Sequence, residues 1–327
     1  LSIYNKNRQV GEELDPKTLD EYLQLFINFK LKVKEAESLG MDTVSSFIKE
    51  LSGYRKQLAN PYLIDNEAGD KLIKEAYERL KTEIRASHIL ISVAEDASPS
   101  DTLKAYKRAQ SIRQEILDGA NFAETARLNS DDPSAKENSG DLGFFSALYM
   151  VYPFETAAYS TPKGEISEII RSRYGYHFLN VTDRRPSRGE LKTAHIMVKY
   201  PSPVGKSSIK EKAVAKQKID DIYNKIINES ADFSEMAKQY SDDKNNSSKG
   251  GVLPWFGSNK MVAAFEEAAF SLNNLGDIST PIETQYGWHI IKLIDRKELG
   301  SFEDEKSDIQ SRVEKDSRSQ SKRTSLV

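Results

Sequence analysis

Only four histidines occur in the 327 residues, and all four belong to one motif written twice. His88 lies in Ala-Ser-His-Ile-Leu and His195 in Thr-Ala-His-Ile-Met, while His177 lies in Tyr-Gly-Tyr-His-Phe-Leu and His289 in Tyr-Gly-Trp-His-Ile-Ile. Imidazole titrates near neutrality, so a repeated pair of imidazoles suits proton transfer, polarisation of a bound group or metal ligation. Ligation needs more donors than two rings, and the chain has no cysteine to supply them. Asp131, Asp132 and Asp141 make a poor calcium site, because Val252 replaces the last of them in the second copy and the ligand count falls short. No metal and no cofactor is expected.

The elements that carry these histidines repeat as well. Asn121-Phe-Ala-Glu matches Asp232-Phe-Ser-Glu, and the spacing that takes Ser130-Asp131-Asp132 to Ser241-Asp242-Asp243 also takes Gly140 to Gly251. It takes Leu142 to Leu253, Phe145 to Phe256, Met150 to Met261, and Phe154-Glu155 to Phe265-Glu266. One extra residue near Asn274 then brings Tyr174-Gly175 onto Tyr286-Gly287. A period of about 110 residues is the size of a domain, not of a solenoid unit. Within each copy the pattern predicts strand, long helix, short helix, strand, helix and a closing hairpin. In copy one these are 84–93, 99–118, 122–129, 142–145, 153–159, 166–173 and 176–183. In copy two they are 191–199, 208–228, 233–240, 252–256, 262–270, 278–283 and 288–295. The expected domains are 86–185 and 190–297, joined by a short polar linker. Residues 1–85 read as an all-helical arm, with Leu19, Tyr22, Leu23, Phe26, Phe29 and Val33 at helical spacing and Gly40 as a stop. The arm has little core of its own and is expected to pack on something else. Residues 301–327 read as a charged helix without a stop signal, which leaves room for a longer natural chain. The fold class is therefore α+β, with two repeated domains between an N-terminal helical arm and a C-terminal helix.

Charged residues make up 30% of the chain, yet the net charge is only −3, which offers no long-range attraction to nucleic acid or to an anionic membrane. No apolar run approaches the roughly 18 residues that a membrane helix needs. The chain begins Leu1-Ser2-Ile3 and carries no signal peptide, which reads as a mature or trimmed form. The lack of cysteine excludes disulfides and thiol nucleophiles and is compatible with an oxidising compartment.

Strand-His-Ile, Ser-Asp-Asp, Gly-Asp-Leu-Gly-Phe-Phe, Met-x-x-x-Phe-Glu-x-Ala and Gly-Tyr-His-Phe-Leu together resemble the parvulin-type peptidyl-prolyl isomerases, over about 84–185 and 190–297. Two such modules behind a helical arm resemble the SurA-like periplasmic folding factors of Gram-negative bacteria. The resemblance implies a four-stranded antiparallel sheet with surrounding helices in each module, and rotation about X-Pro bonds as the activity. It implies a periplasmic location, unfolded proline-containing polypeptides as partners, no nucleic acid and no membrane insertion; the oligomeric state stays open. Leu142, Met150 and Phe154, with Leu253, Met261 and Phe265, stand where the family lines its proline pocket, although periodicity alone reads all six as ordinary core. His88 with His177, and His195 with His289, are expected to share a hydrogen bond beneath each pocket, in a structural and polarising role ahead of proton transfer. Asp132 and Asp243 stand where the family places Cys or Asp at the pocket edge, and a helix-capping role fits them equally. Ser172 and Thr284 supply family-like hydroxyls, while Tyr174 and Tyr286 replace smaller residues and are expected to narrow the pocket. Copy two departs with Gly-Val-Leu-Pro-Trp-Phe, placing Pro254 at a glycine position.

Three functions compete on this reading. One is a prolyl isomerase and folding chaperone for exported or outer-membrane proteins. Another is a holdase whose modules bind chains without turnover, using exposed Tyr149, Tyr152, Trp255 and Tyr286. A scaffold arm that only positions a partner is a third.

Overall fold

A computed structural model describes residues 16–59 and 66–320. The chain divides into two compact units, one ending at Asp65 and one running from Asn66 to Ser325. In the first unit, α1 (Pro16–Ser38) ends at Gly40, whose φ of 69° lets the chain turn left-handed. A short 3-10 turn then leads into α2 (Ser45–Ala59). Asp15 and Asn60-Pro61, which flank these two helices in the sequence as a start and a stop signal, lie outside the described residues. Tyr22, Phe26 and Val33 are half-buried, whereas Leu25, Phe29 and Leu58 stand 68%, 58% and 73% exposed.

In the second unit, α3 (Asn66–Leu80) packs against α11 (Phe302–Lys315). Leu72, Ile73, Ala76 and Leu80 meet Ile309, Val313 and Ala147 in one buried cluster, and Tyr77 donates to the Gly300 carbonyl at 3.0 Å. Burying each of these Leu and Ile side chains stabilises by about 1.5–3 kcal/mol, so α3 sits with the second unit although the sequence groups it with the arm.

Module one comprises β1 (Thr82–Ser92), α4 (Pro99–Leu117), α5 (Phe122–Asn129), α6 (Ala135–Asn138), β2 (Asp141–Phe145), α7 (Tyr152–Ser160), β3 (Ile170–Ser172) and β4 (Gly175–Pro186). Its sheet is antiparallel, in the order β2-β1-β4-β3. Helix starts follow local chemistry. The Ser98 hydroxyl accepts from the Asp101 amide ahead of Pro99, and Asn121 accepts from the Glu124 amide, so the matched Asn121 and Asp232 are both N-caps. One sheet face sends Ile89, Ile91 and Phe178 against Ala109, Ile112 and Ile116 of α4. The other sends Ile84, Ala86, Leu179 and Val181 against Phe145 and Phe154.

Module two comprises β5 (Glu190–Lys199), α8 (Ile209–Asn228), α9 (Phe233–Tyr240), α10 (Ala263–Phe270), β6 (Ile282–Thr284) and β7 (Gly287–Lys297). Its sheet runs β5-β7-β6, with one strand fewer. The fourth position is held by single bridges, Leu191 to Phe256 and Ala194 to Val252. Pro254 lies between them, at the place of Gly143, whose amide in module one goes to Asp141 Oδ1 and not to the ladder. The linker is shorter than its composition implies, because β4 reaches Pro186 and β5 starts at Glu190. It is also pinned: Arg185 pairs with Glu83 at 2.7 Å, and Arg188 pairs with Glu266 and Glu267 at 2.7 and 3.0 Å. Among the described residues no helix is long and apolar enough to cross a membrane.

Candidate active site

Strand register brings the histidines together. His88 lies opposite Leu179, and His177 lies opposite Leu90, two residues along. In module two His195 lies opposite Ile291 and His289 opposite Met197, the same diagonal. Side chains two apart on a strand share a face, so both rings of each pair point away from α4 or α8. The rings stack at 5.8 Å and 17° in module one and at 5.5 Å and 13° in module two. Gly140 and Gly251 make the approach to β1 and β5 possible. They accept from the His88 and His195 amides at 2.9 Å, with φ of 82° and 78°, and a Cβ at either would collide with the histidine carbonyl.

Each pair is held from both ends. His88 Nε2 lies 2.7 Å from Asp132 Oδ2, and His177 Nε2 lies 2.6 Å from Ser172 Oγ. His195 Nε2 lies 2.9 Å from Asp243 Oδ2, and His289 Nε2 lies 2.8 Å from Thr284 Oγ1. Neither aspartate caps the next helical turn, whose N-caps are Ser134 and Asn246; each bridges its imidazole and a backbone amide two residues on. Asp132 Oδ1 accepts from the Ser134 amide while Oδ2 meets the imidazole, and Asp243 does the same with Asn245 and His195. Asp131 and Asp141 face elsewhere, Asp131 toward Arg108 and the Ser92 amide, Asp141 toward Arg85.

The shared hydrogen bond within a pair forms in module two only, where His195 Nδ1 and His289 Nδ1 are 3.3 Å apart. The proton order follows from valence. A carboxylate only accepts, so His195 donates through Nε2 and its neutral ring accepts at Nδ1. His289 then donates from Nδ1 and accepts the Thr284 hydroxyl at Nε2. In module one both Nδ1 atoms are buried without a partner. The wider ring spacing there is the geometric difference.

Burial keeps these imidazoles neutral. It lowers His88 and His195 against the opposing pull of their aspartates. It drives His177 down to about 4 and His289 down to about 3, with the neighbouring histidine adding to the effect. Asp132 and Asp243 are lowered too, against burial. Burial would raise them, but hydrogen bonds from Ser134 and His88, and from His195, Asn246 and Asn245, hold both below the usual carboxylate range.

An apolar wall stands beside each pair. Phe154 meets His88 and His177 edge-on at 5.5 and 5.7 Å, and Phe265 meets His195 and His289 at 5.6 Å each. Leu142 and Met150 pack half-buried on the cluster containing Phe154, and Leu253 and Met261 do so on the cluster containing Phe265. Ser172 and Thr284 are buried beneath. The six apolar candidates thus gather as two matched sets.

The rims of the two modules touch. Asn259 donates to the Leu142 carbonyl at 2.9 Å, Tyr149 donates to the Asn259 carbonyl at 3.1 Å, and the Lys260 ammonium lies 4.6 Å from the Tyr149 ring centroid. A cavity of about 180 Å³ beside this contact is lined by Tyr149, Ser187, Lys260 and Arg312, and by none of the imidazoles. Tyr174 and Tyr286 are 49% and 44% exposed and leave the wall to the side chains beneath them. Tyr152, expected at the surface, turns inward because Glu75 accepts its hydroxyl at 2.9 Å.

Sequence reasoning missed Glu155 and Glu266. Both are buried. Their repetition directly after the pocket phenylalanines was the available signal.

Comparison with known proteins falls on the same two modules. Two family profiles described as PPIC-type PPIASE domains match residues 71–185 and 195–295. Chaperone SurA of Methylobacillus flagellatus is 33% identical over 223 residues, covering 67% of this chain and 49% of the relative. Chaperone SurA of Thiobacillus denitrificans is 28% identical over 322 residues, covering 91% and 70%. Among solved structures, the peptidylprolyl isomerase PrsA of Bacillus anthracis is 32% identical, covers 42% of this chain and 57% of its own, and gives a TM-score of 0.29. The chain spans about half the length of several curated relatives it matches.

Proposed function

Because the chain belongs to the PPIC-type, or parvulin, peptidyl-prolyl isomerase family, we propose that its modules catalyse cis-trans rotation about X-Pro bonds in unfolded polypeptides. The observation that carries this reading is the doubling of one arrangement. In each module Phe, Met and Leu gather beside a stacked, neutral imidazole pair that is locked by a carboxylate at one end and a hydroxyl at the other.

The chemistry asked of such a site is modest. Resonance gives the peptide bond a rotational barrier of about 18–20 kcal/mol. Twisting the bond breaks the conjugation and reduces the charge on its oxygen. A dry apolar wall disfavours the planar, more polar amide relative to the twisted one, which is differential binding of the transition state. Leu142, Met150 and Phe154, or Leu253, Met261 and Phe265, would hold the proline ring. The adaptable thioether suits that contact. His88, His177, His195 and His289 act as fixed neutral groups beneath the ring, and no net proton transfer is required of them. Asp132, Asp243, Ser172 and Thr284 set their tautomers and orientation.

The chaperone role, exported or outer-membrane clients and a periplasmic setting rest on the SurA-like resemblance and on the relatives' name, Chaperone SurA. One observation favours a holdase contribution. The described residues of the first unit expose Leu25, Phe29, Phe47 and Leu58. Exposed apolar area of that kind commonly marks contact with another chain.

Exchange spectroscopy on a blocked proline peptide tests the reading. Acceleration by the full chain that falls in Met150→Ala or Met261→Ala, with the fold retained, supports it. No acceleration, together with suppressed aggregation of an unfolded client, replaces it with the holdase.

A further inference from the structure

Two buried carboxylates are idle in the mechanism above, and they occupy equivalent places in both modules. Glu155 is fully buried and Glu266 is 6% exposed. Each follows its pocket phenylalanine, and each accepts the amide of a left-handed, non-glycine residue. Leu148, with φ of 64°, donates to Glu155 Oε2 at 2.7 Å, and Asn259, with φ of 63°, donates to Glu266 Oε2 at 2.6 Å. A left-handed leucine is disfavoured and persists only where its surroundings dictate it. The next residue but one is Met150 in one module and Met261 in the other.

A buried carboxylate needs a cation. The guanidinium groups come from outside the repeated elements. Glu155 meets Arg79 of α3 at 2.9 Å and Arg318, in the turn after α11, at 2.7 Å. Arg318 is itself fully buried, lies against the Tyr152 ring at 4.8 Å and bonds Asp316 at 2.8 Å. Glu266 meets Arg188 of the linker at 2.7 Å.

We propose that Glu155 and Glu266 are positioning residues for the two proline sites. Each holds the left-handed corner that sets its methionine wall, and each is fixed by arginines lying outside its own module. Elements remote from the chemistry thereby set the pocket: α3 and the C-terminal turn in module one, the linker in module two. The proposal rests on the reading of Met150 and Met261 as pocket walls.

The chain has only five methionines, so ε-¹³C-methyl labelling of the full chain gives separate signals for Met150 and Met261. The probe is the tetrapeptide Ala-Ala-Pro-Phe, blocked at both ends. Glu266→Leu removes the acceptor for the Asn259 amide. It should weaken peptide affinity read at Met261 by about tenfold, the loss of one charge-assisted hydrogen bond, and change the Met150 titration less, since Asn259 also bonds the Leu142 carbonyl. Glu155→Leu should do the reverse. Glu155→Gln and Glu266→Gln keep an acceptor oxygen and should lose about threefold at their own sites; they decide the matter if the Leu variants do not fold. A purely structural carboxylate would lower the unfolding midpoint and leave both affinities intact in the folded chain, which overturns the proposal. If the peptide shifts neither methyl signal in the wild type, the pocket reading itself fails and the proposal falls with it.

Discussion

Mild acid should loosen both modules through their imidazoles. An unfolded chain binds protons at the ordinary histidine pKa of about 6.5, whereas burial holds His177 down to about 4 and His289 down to about 3. Below about pH 6.5 the unfolded state therefore binds more protons than the folded one, and stability falls as pH falls. The stabilising effect is whole above that pH and shrinks until the folded groups themselves titrate. Between about pH 7 and about pH 5 each of these two imidazoles removes about 2 kcal/mol, at about 1.4 kcal/mol for each pH unit below 6.5. His88 and His195 are lowered by burial and act in the same direction. The chain has no fifth histidine, and Glu266, raised by burial, acts in the opposite sense in module two, so the His289 variant is what isolates the imidazole contribution there. With a urea slope of about 1–3 kcal/mol per M, the midpoint of each module should drop by about 1 M. Urea titrations at the two pH values, followed through the Met150 and Met261 methyl signals, measure it module by module. His289→Gln should remove about 2 kcal/mol of the pH dependence at Met261 and none at Met150. An unchanged midpoint at the lower pH, or a variant that keeps the whole dependence, would refute the buried, neutral imidazole pair.

Other substitutions probe the same sites. Thr284→Val keeps the volume but leaves His289 Nε2 without its hydroxyl partner at 2.8 Å, and should cost module two about 1–3 kcal/mol in denaturant unfolding. Gly251→Ala places a Cβ against the His195 carbonyl at a φ of 78°, and should destabilise module two by more than 1 kcal/mol, whereas Gly164→Ala, where nothing lies near the added Cβ, should show only the backbone strain of its φ of 88°. Asn259→Ala breaks the bond to the Leu142 carbonyl and should cost about 1 kcal/mol, with amide exchange rising around Leu142 and Tyr149.

Much of each module was legible because the chain states it twice. A glycine, an aspartate, a methionine and a phenylalanine in register between two copies mark positions that one copy would hide among ordinary core residues. The resemblance implied that His88 and His177 pair, and the register of β1 against β4 sets them on one face. What stayed hidden was long-range. Arg318 finds Glu155 and Arg188 finds Glu266 across separations that no local pattern encodes. The packing of α3 on α11 joins the two ends of the described second unit, so helical spacing identified each helix but not its partner. Pro254 was visible as a departure, and it lies between the two bridges that stand in for a fourth strand. Tyr152 was misjudged because its partner, Glu75, lies in a helix outside the repeat. The Nδ1 contact seen in only one pair reflects a few tenths of an ångström in ring spacing, which sequence cannot specify.

The central claim is that an apolar wall beside a neutral imidazole pair favours the twisted X-Pro bond. Cis-trans exchange of blocked Ala-Ala-Pro-Phe, measured by two-dimensional exchange NMR with the wild-type chain and with the Met150→Ala, Met261→Ala double variant, tests it most directly. The wild type should accelerate exchange, with at least about a tenfold loss in a double variant whose circular dichroism matches it. Equal acceleration by the two folded chains, or none by the wild type, would contradict it.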